Sequence, residues 1–358
     1  MLYYLSEYFS EFWGPLRLLR SHALLAAGAT ALSAILIAVL LPKLWNTLPR
    51  DRGKAICGPD GMKSAGKPTG AGFLVTLLTL PAIIIFAPLG IWDLAAVVTF
   101  YLAMIFGYLD DRAVVPWGEF KKGLLDLAVS FALAFFIAKG HSTIVWLPFY
   151  KGMWEVPFWL YVSGATVLLW VTINATNCSD GVDGLAGTLT EISLIMLAVI
   201  LYVVIGYKPV AHYFLLPCNP ASARWAILVM AVAGGFCGYL WFNAEPSKIL
   251  MGDAGSRFLG ILVGAAVLVC GNPFLIFALS PIVLINGGTG LIKILFLRCA
   301  KKLGCEVSNT SVINRIRFPL HDHCKKNLGW SNAQVLMRFT LLQLVIMPIV
   351  LLIIFKVR

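Results

Sequence analysis

The sequence predicts an all-α polytopic membrane protein with about ten transmembrane helices. Of its 358 residues, 59% are hydrophobic and only 13% are charged, and the mean hydropathy is +0.86, values typical of an integral membrane protein. Ten apolar stretches are each long enough to cross about 30 Å of hydrocarbon as a helix. Basic residues are abundant in every second loop and scarce in the loops between. Residues 1–358 are therefore treated as one integral membrane domain.

The predicted spans follow the apolar stretches along the chain. The pairs that meet at Gly90 and at Pro273 are each also compatible with one kinked span. The ten stretches cover residues 22–42, 72–89, 93–110, 124–139, 157–175, 185–206, 224–242, 257–271, 273–298 and 334–356.

The net charge of +11 is explained by the placement of basic residues in loops. These residues concentrate after spans one, three, five, seven and nine, whereas the opposite loops carry little beyond Lys139, Lys151 and Lys208. The positive-inside rule places the basic loops in the cytoplasm, and an even number of spans then places both termini outside. The lipid bilayer is the expected surrounding phase, and no nucleic-acid partner is expected.

One outer loop carries a strand pattern. Residues 143–156 contain two short runs of β-prone residues joined by Tyr150, Lys151 and Gly152. This pattern predicts a small β-hairpin at the outer surface.

The most polar stretch between two apolar runs is residues 174–186, which contain Asn174, Asn177, Asp180 and Asp183. An aspartate at the centre of a membrane helix costs about 2.5–3.5 kcal/mol on insertion scales, so this stretch is expected at a membrane surface or facing a wet cavity. If it is helical, Asp180 and Asp183 share one face. The sequence predicts a binding site here.

Two further acidic motifs lie in cytoplasmic loops. Asp110 and Asp111 end the third span, where a cation or a proton must offset their repulsion; the alternative is a solvated helix end. Asp253 lies between Gly252 and Gly255, which would let backbone approach a phosphate or a metal ion closely. A tight turn between two spans is the alternative for this second motif.

Two basic motifs share that side of the membrane. Lys67 lies in the glycine-rich run of residues 66–72, with Lys63 just before it, and such a helix start can hold a phosphate; a flexible basic loop is the alternative. His321, Asp322 and His323 are potential zinc ligands but lie too close together to complete a tetrahedral site alone. A phosphate or substrate contact is favoured over zinc, and a solvated loop remains possible.

Together these loops predict one composite site open to the cytoplasm. Several aspartate and asparagine side chains at a polar surface suit Mg²⁺, which keeps waters and bridges substrate phosphates. Nearby lysines and histidines would neutralise the remaining phosphate charge. Such a site suits a nucleotide-activated donor from the cytosol and a lipid acceptor from the bilayer.

In combination, these motifs resemble those of the polyprenyl-phosphate N-acetylhexosamine-1-phosphate transferases. The resemblance covers essentially the whole chain. Residues 66–72 and the late run from Gly329 to Phe339 favour the branch that uses UDP-MurNAc-pentapeptide. The motifs that carry the resemblance are Asp110-Asp111, residues 174–186, residues 243–256 and His321 with His323.

The resemblance implies a Mg²⁺-dependent transfer of phospho-MurNAc-pentapeptide to undecaprenyl phosphate, with release of UMP, in the bacterial inner (plasma) membrane. It also implies a homodimer. The implied catalytic residues are Asp110, Asp111 and Asp253, and the implied metal ligands are Asp253, Asp111 and Asp180. The implied substrate-binding residues are Lys63, Lys67, Thr69, Asn177, Asp180, Gly181, Asp183, Asn243, His321, Asp322 and His323.

The expected mechanism is an in-line attack of the lipid phosphate on the β-phosphate of the donor, with a covalent phospho-aspartate route as the rival. Asp110 or Asp111 would take the last proton of the lipid phosphate.

Several positions depart from the family pattern: Asp322 replaces a histidine, Leu250 an aromatic residue, Val114 a lysine and Lys67 a threonine. The departures at Asp322 and Leu250 leave a GlcNAc-1-phosphate transferase as the alternative enzyme. A secondary transporter is a more distant alternative. It should show an internal repeat and polar residues at mid-membrane, whereas here the acids cluster at span ends and no repeat is visible.

Overall fold

The fold is that of a multi-pass helical membrane protein. The computed structural model describes residues 1–9, 14–53, 64–148, 150, 152–303 and 316–356. Within these ranges, nine helices are long and apolar enough to cross a membrane. A further apolar helix of 16 residues, Ala71–Phe86, corresponds to the second predicted span. The prediction of about ten spans is therefore confirmed.

The spanning helices match the predicted stretches in order, and most extend a few residues further at one end or both. They are α2 (His22–Leu44), α3 (Ala71–Phe86), α4 (Ile91–Arg112), α5 (Glu119–Gly140), α6 (Phe158–Ser179), α7 (Leu185–Val199, continued as a π-helix over Ile200–Ile205), α9 (Ser222–Asn243), α10 (Gly252–Val269), the segmented ninth span described below, and α15 (Asn332–Lys356).

The ninth span is not one regular helix. It consists of α11 (Leu275–Leu279), α12 (Pro281–Val283), a π-helix over Leu284–Gly288, and α13 (Thr289–Lys302). Single-turn π segments inside helices are frequently found at functional sites. The continuous stretch predicted over residues 273–298 is therefore corrected to a broken span that begins separately from α10.

Short elements cover one end of the bundle. α1 (Leu2–Phe9) precedes the first span, and α8 (Lys208–Tyr213) follows the π-helical end of the sixth. The predicted hairpin is confirmed as β1 (Ile144–Trp146) and β2 (Met153–Glu155), which pair antiparallel with Val145 opposite Trp154. A further short helix, α14 (Leu320–Leu328), precedes the final span and lies at the opposite end of the bundle, where His321 contacts Gly181.

Helix α10 forms the centre of the bundle. Every residue from Ala254 to Val269 is buried, because α3, α4, α5, α6 and α7 all pack around it. A helix that is apolar on all sides must be enclosed in this way. Only its first turn, which carries Asp253, reaches the polar end of the bundle.

Both described chain ends lie at the hairpin end. The amino group of Met1 donates to the carbonyl of Ile85 (3.0 Å), near the end of α3. Lys356 donates to the Tyr213 hydroxyl (3.2 Å), and Phe355 stacks on Trp146 of β1 at a centroid distance of 5.6 Å. The described polar motifs lie at the opposite end of the helices, which agrees with the predicted grouping of loops.

Candidate functional site

Asp110 and Asp111, although adjacent, are held by different partners. Asp110 is buried and forms an ion pair with Lys122 of α5, while its Oδ1 accepts a hydrogen bond from the Trp117 backbone N–H (2.7 Å). Asp111 instead accepts from the backbone N–H groups of Asp253 (3.0 Å) and Ala254 (3.1 Å). A cation therefore offsets Asp110, as expected, whereas Asp111 is held by backbone N–H groups at a helix N-terminus, which are neither a cation nor a proton.

The contact of Asp111 with α10 follows from helix chemistry. The first backbone N–H groups of a helix have no partner within the helix and carry partial positive charge. A carboxylate at the C-terminal end of its own helix is unfavourably placed, but Asp111 lies at the N-terminus of a neighbouring one. This arrangement fixes the position of Asp253, whose backbone N–H it holds.

Asp253 is the point at which the acidic and basic groups meet. Its Oδ2 lies 3.3 Å from Lys122 Nζ and 3.4 Å from Arg257 Nη2. Lys122 therefore bridges Asp110 and Asp253, which the sequence predicted to act together. Arg257 lies one helical turn after Asp253 on α10, so both side chains face the same side of the helix.

A second acid anchors Arg257 below the site. Arg257 forms an ion pair with Asp126 of α5, and only 3% of the arginine and 2% of the aspartate are exposed. The charges Asp110–Lys122–Asp253–Arg257–Asp126 thus form a continuous chain between α4, α5 and α10, which we call the charge ladder.

The charge ladder contains three residues that were not predicted to belong to the site: Lys122, Asp126 and Arg257. Two signals in the sequence could have identified them. Asp126 and Arg257 are charged side chains within spans predicted to be apolar, and Lys122 lies two residues before such a span. Each also lies four residues from a side chain of opposite charge, as in Lys122–Asp126 and Asp253–Arg257. Charges inside spans are costly and mark candidate sites.

Helix α6 reaches the same site through Asn177. Its Nδ2 donates to the Ser256 hydroxyl (3.0 Å) on the first turn of α10. Asn177 therefore lies beside the ladder, and its contact with the donor stays a prediction.

Asp180 and Asp183 do not share a helical face, as they would if the segment were helical, because α6 ends before them in a turn. Asp180 ends the helix, and its backbone N–H donates to the Asn177 carbonyl (3.2 Å). Asp183 lies beyond the turn, where its Oδ2 accepts from the Ser247 backbone N–H (3.2 Å) and lies 3.7 Å from Lys67 Nζ. The glycines in this segment interrupt the helix, so the two acids lie on a loop.

Lys67 joins two loops of the site. Besides Asp183, it contacts the Ser247 hydroxyl (2.9 Å). Thr69 lies half-buried in the same loop as Lys67, and its backbone N–H donates to the Pro49 carbonyl (2.9 Å). Lys63, the other lysine predicted here, lies outside the described residues.

Asn243 shapes the loop that follows α9. Its Oδ1 accepts from the Gly184 N–H (2.8 Å), and its Nδ2 donates to the Ile249 carbonyl (2.7 Å). Both polar atoms of its side chain are thus used within the protein. A direct substrate contact by Asn243 stays a prediction, whereas its role in joining two site loops is visible in the geometry.

The three residues of the late histidine motif occupy different environments. His321 is buried, and a side chain at Gly181 would overlap its imidazole ring. Asp322 lies 3.7 Å from Lys326, and His323 accepts from the Arg317 N–H (3.4 Å). Burial lowers the pKa of His321 to about 4, so its ring is neutral at pH 7. The expectation that this histidine adds positive charge at the phosphates stays a prediction, and the lowered pKa favours a neutral ring instead.

The predicted magnesium ligands do not form a ready-made cluster. Within the described ranges, no three His, Cys, Asp or Glu side chains converge on one point. Asp253 and Asp111 are adjacent through the α10 N-terminus. Mg²⁺ commonly takes only one or two carboxylates and completes its shell with waters and substrate phosphates. The pair Asp111 and Asp253 fits that requirement; Asp180 is placed on the neighbouring turn.

Close packing at Gly107 provides a test of this geometry. A Cβ at Gly107 would overlap the backbone carbonyl of Asp253, so Gly107→Ala should displace the first turn of α10. A displacement of about 1 Å at a catalytic group can lower a rate about 100-fold, and a loss of that size in turnover is expected. Gly123→Ala is the matched control, because its Cβ would lie 3.9 Å from Trp170. Equal turnover of the two variants would contradict the geometry.

Comparisons with known proteins show which family the chain resembles. Residues 94–271 match the family model described as Glycosyl transferase family 4. The chain is 42% identical to the phospho-N-acetylmuramoyl-pentapeptide-transferase of Treponema pallidum (strain Nichols), with 98% of this chain and 95% of the relative covered. Proteins of the same name from Borreliella afzelii (28% identity, 92% and 95% covered) and Desulfotalea psychrophila (27%, 97% and 96%) are also similar.

Proposed function

The chain belongs to the phospho-N-acetylmuramoyl-pentapeptide-transferase family, and on this premise we propose how its residues carry out the family reaction. The reaction transfers phospho-MurNAc-pentapeptide from its UDP carrier to a polyprenyl phosphate and forms the first lipid intermediate of peptidoglycan. We propose undecaprenyl phosphate as the acceptor and UMP as the leaving group. The observation that carries the residue assignment is the charge ladder, which brings Asp110 and Asp253 together on Lys122.

The donor is assigned to the loops beside the ladder. Lys67, Thr69, Asn177, Asp180, Gly181 and Asp183 would line the pocket for the uridine diphosphate, with Lys63, Asn243, His321, Asp322 and His323 around it. Lys67 is the only one of these side chains whose positive charge lies next to the 180–184 turn in the described contacts. We therefore assign the lysine contact with the diphosphate to Lys67.

The contacts of Asp110 and Asp111 favour direct attack by the lipid phosphate over a phospho-aspartate route through either of these two residues. One backbone hydrogen bond to each oxygen of Asp111 lowers the nucleophilicity of this carboxylate and fixes its direction, while leaving lone pairs for a metal ion. Asp110 likewise uses one oxygen for the Trp117 N–H and the other for Lys122. We assign Asp110 to accept the last proton of the lipid phosphate. Because the second pKa of a phosphate is about 6, most of this group has already lost that proton at pH 7.

Lys122 has a second role in this proposal. Held between two carboxylates, it places a positive charge where the donor phosphates would enter, and a preorganised cation stabilises charge that develops in the transition state. Arg257 restrains the same oxygen of Asp253 through a contact that does not depend on substrate. Asp253 is thereby oriented before the donor binds.

We propose that Mg²⁺ is held by Asp253 with Asp111 and by Asp180 from the adjacent turn. When bound, it would neutralise the diphosphate and the departing UMP. The carboxylate chemistry of Asp111 and Asp253 fits this ion, and the N-terminus of α10 holds Asp111 in place for it.

An apolar groove supports a lipid acceptor. It lies between α6 and the broken ninth span and has a volume of about 250 Å³. Its lining is almost wholly apolar and includes Val167, Val171, Phe274, Phe277 and Leu284. We propose that part of the prenyl chain lies here, so that its phosphate end can approach the polar end of the bundle.

The membrane placement follows from the same premise. We propose that the protein lies in the bacterial inner membrane with the charge ladder at the cytoplasmic face and the hairpin and both termini outside. We also propose a homodimer, on the basis of family resemblance.

A donor comparison tests this function. Purified protein is incubated with Mg²⁺, undecaprenyl phosphate and radiolabelled UDP-MurNAc-pentapeptide or UDP-GlcNAc, and butanol-extractable label is counted. Label from the pentapeptide donor alone is expected, and its loss with EDTA and recovery with Mg²⁺ would support the metal assignment. Extractable label from neither donor would reject the transferase function, and label from UDP-GlcNAc alone would identify the alternative enzyme.

A further inference from the structure

The π-helix of the ninth span carries one buried polar side chain that the proposed mechanism does not use, Asn286. It is 0% exposed. Its Oδ1 accepts a hydrogen bond from the backbone N–H of His321 (2.9 Å) and lies 3.2 Å from the ring Nδ1 of the same histidine. Two atoms of His321 therefore converge on one atom of Asn286.

This convergence fixes both the amide orientation and the histidine tautomer. A backbone N–H can only donate, so the Asn286 atom that faces it must be the oxygen and not the amide nitrogen. The same oxygen can only accept from Nδ1. His321 must then carry its proton on Nδ1, which leaves Nε2 as a hydrogen-bond acceptor in the neutral ring.

The free ring nitrogen faces the proposed donor pocket. The atom that a Cβ on Gly181 would meet first is His321 Nε2, and Gly181 lies within the 180–184 turn. Asp322 Oδ1 lies 3.9 Å from Nε2, which is beyond hydrogen-bond distance. Among the residues that the structure describes, no side chain donates to this nitrogen.

The charges around the ring are of both signs. On its own helix they are Asp322, which favours the protonated ring, and Lys325 and Lys326, which oppose it; burial is the larger influence and keeps the pKa low. From the neighbouring elements, the turn contributes Asp180 beside Gly181, and α15 contributes Arg338, whose guanidinium lies over Trp330 (4.2 Å to the centroid).

We propose that Asn286 is a positioning residue which holds His321 as the Nδ1–H tautomer, so that Nε2 accepts a hydrogen bond from an N–H or O–H group of the nucleotide-sugar donor beside Gly181. This inference rests on the proposed function for the identity of the donor. It assigns His321 the role of a neutral acceptor that selects donor orientation, not that of a cation that binds phosphate.

Two substitutions at Asn286 test the proposal. Asn286→Leu removes the acceptor and should release the tautomer, so the KM for UDP-MurNAc-pentapeptide should rise about tenfold, the size of one buried hydrogen bond, with a smaller change in kcat. Asn286→Asp places a negative charge against Nδ1–H and should raise the pKa of His321. Below that new pKa the ring carries a proton on Nε2 and cannot accept, so the KM of this variant should fall as pH rises from 6 to 8.

The wild-type enzyme provides the reference for this pH dependence. Because its His321 is neutral throughout that range, its KM should show no step from this residue. ¹⁵N NMR of the histidine rings without substrate should show an Nδ1–H ring in the wild type that changes state in both Asn286 variants.

Asn272 offers a matched control. It is also 0% exposed, its Oδ1 accepts from the Phe274 N–H (2.9 Å), and its Nδ2, like that of Asn286, has no partner, but it lies at the hairpin end. Asn272→Leu and Asn272→Asp should leave the KM and the histidine spectrum unchanged.

A wild-type His321 ring protonated on Nε2, or a KM for Asn286→Asp that is the same from pH 6 to 8, would overturn the proposal. The NMR readout needs no turnover, so it separates failure of this inference from failure of the proposed function, in which the wild type would transfer sugar from neither donor.

Discussion

Asp253→Asn is expected to lower the rate of UMP release by about 1,000-fold or more. The amide keeps the size of the side chain but removes the charge that Lys122 and Arg257 hold in place and the proposed Mg²⁺ ligand. Loss of a group that stabilises transition-state charge typically lowers kcat by about 100- to 1,000-fold, and loss of a metal ligand adds to it. UMP release at saturating donor and acceptor is the measurement.

Asp51→Asn is the control for this prediction. Asp51 lies in the loop that leads to α3, where its Oδ2 accepts from the Gly53 N–H (3.2 Å), and it contributes nothing to the charge ladder. Its amide variant should retain most of the turnover. Near-normal turnover by a folded Asp253→Asn variant would rule out Asp253 as the centre of the site.

Arg257→Met is expected to destabilise the protein by about 3–5 kcal/mol, the usual cost of leaving one partner of a buried ion pair alone. Asp126 would then lie 2% exposed without its partner. The double variant Arg257→Met with Asp126→Leu should recover most of that loss, because a well-packed apolar pair of similar volume is often as stable as the buried ion pair it replaces. Thermal unfolding of the three variants in detergent measures both effects.

The same double variant separates stability from orientation. If Arg257 also restrains Asp253, the double variant should turn over more slowly than the wild type even where its stability is recovered. Arg298→Met is the control, because its ion pair with Glu119 is largely exposed (71% and 82%) and such pairs contribute about 0–1 kcal/mol. Additive losses in the double variant would show that Arg257 and Asp126 do not act as a pair.

The sequence predicted the fold well because the membrane imposes simple rules. Spans are recognised from apolar length and sidedness from basic loops. The hairpin was predicted because residues 143–156 combine β-prone runs with a short turn. The structure shows it as the antiparallel pair β1 and β2. The broken ninth span was missed since Ser280 and Pro281 interrupt a stretch whose hydropathy stays high throughout.

The acidic residues of the site were predicted, but their partners were not. Asp110, Asp111 and Asp253 stand out in sequence as acids beside apolar runs. That Asp111 would hold the N-terminus of α10 depends on how two distant helices pack, and no local pattern encodes this. The glycine run at 181–184 could have warned that Asp180 and Asp183 do not share a helical face.

The environment of the histidine motif likewise depends on packing that no local sequence pattern encodes. Its residue types suggested positive charge near phosphate, yet the charge of a histidine depends on burial and neighbours. His321 is buried against Gly181 and held by Asn286 from a helix 35 residues away. The burial that lowers the pKa of this ring is known only from the assembled structure.

The central claim is that phospho-MurNAc-pentapeptide passes directly from the nucleotide donor to the lipid phosphate at the charge ladder. The most direct measurement is single-turnover release of UMP, with enzyme in excess over donor, in the presence and absence of undecaprenyl phosphate. Direct transfer predicts that UMP appears only when the acceptor lipid is present, at the same rate as the lipid-linked sugar. A burst of UMP without acceptor, with the sugar phosphate recovered on Asp110, Asp111 or Asp253, would contradict it.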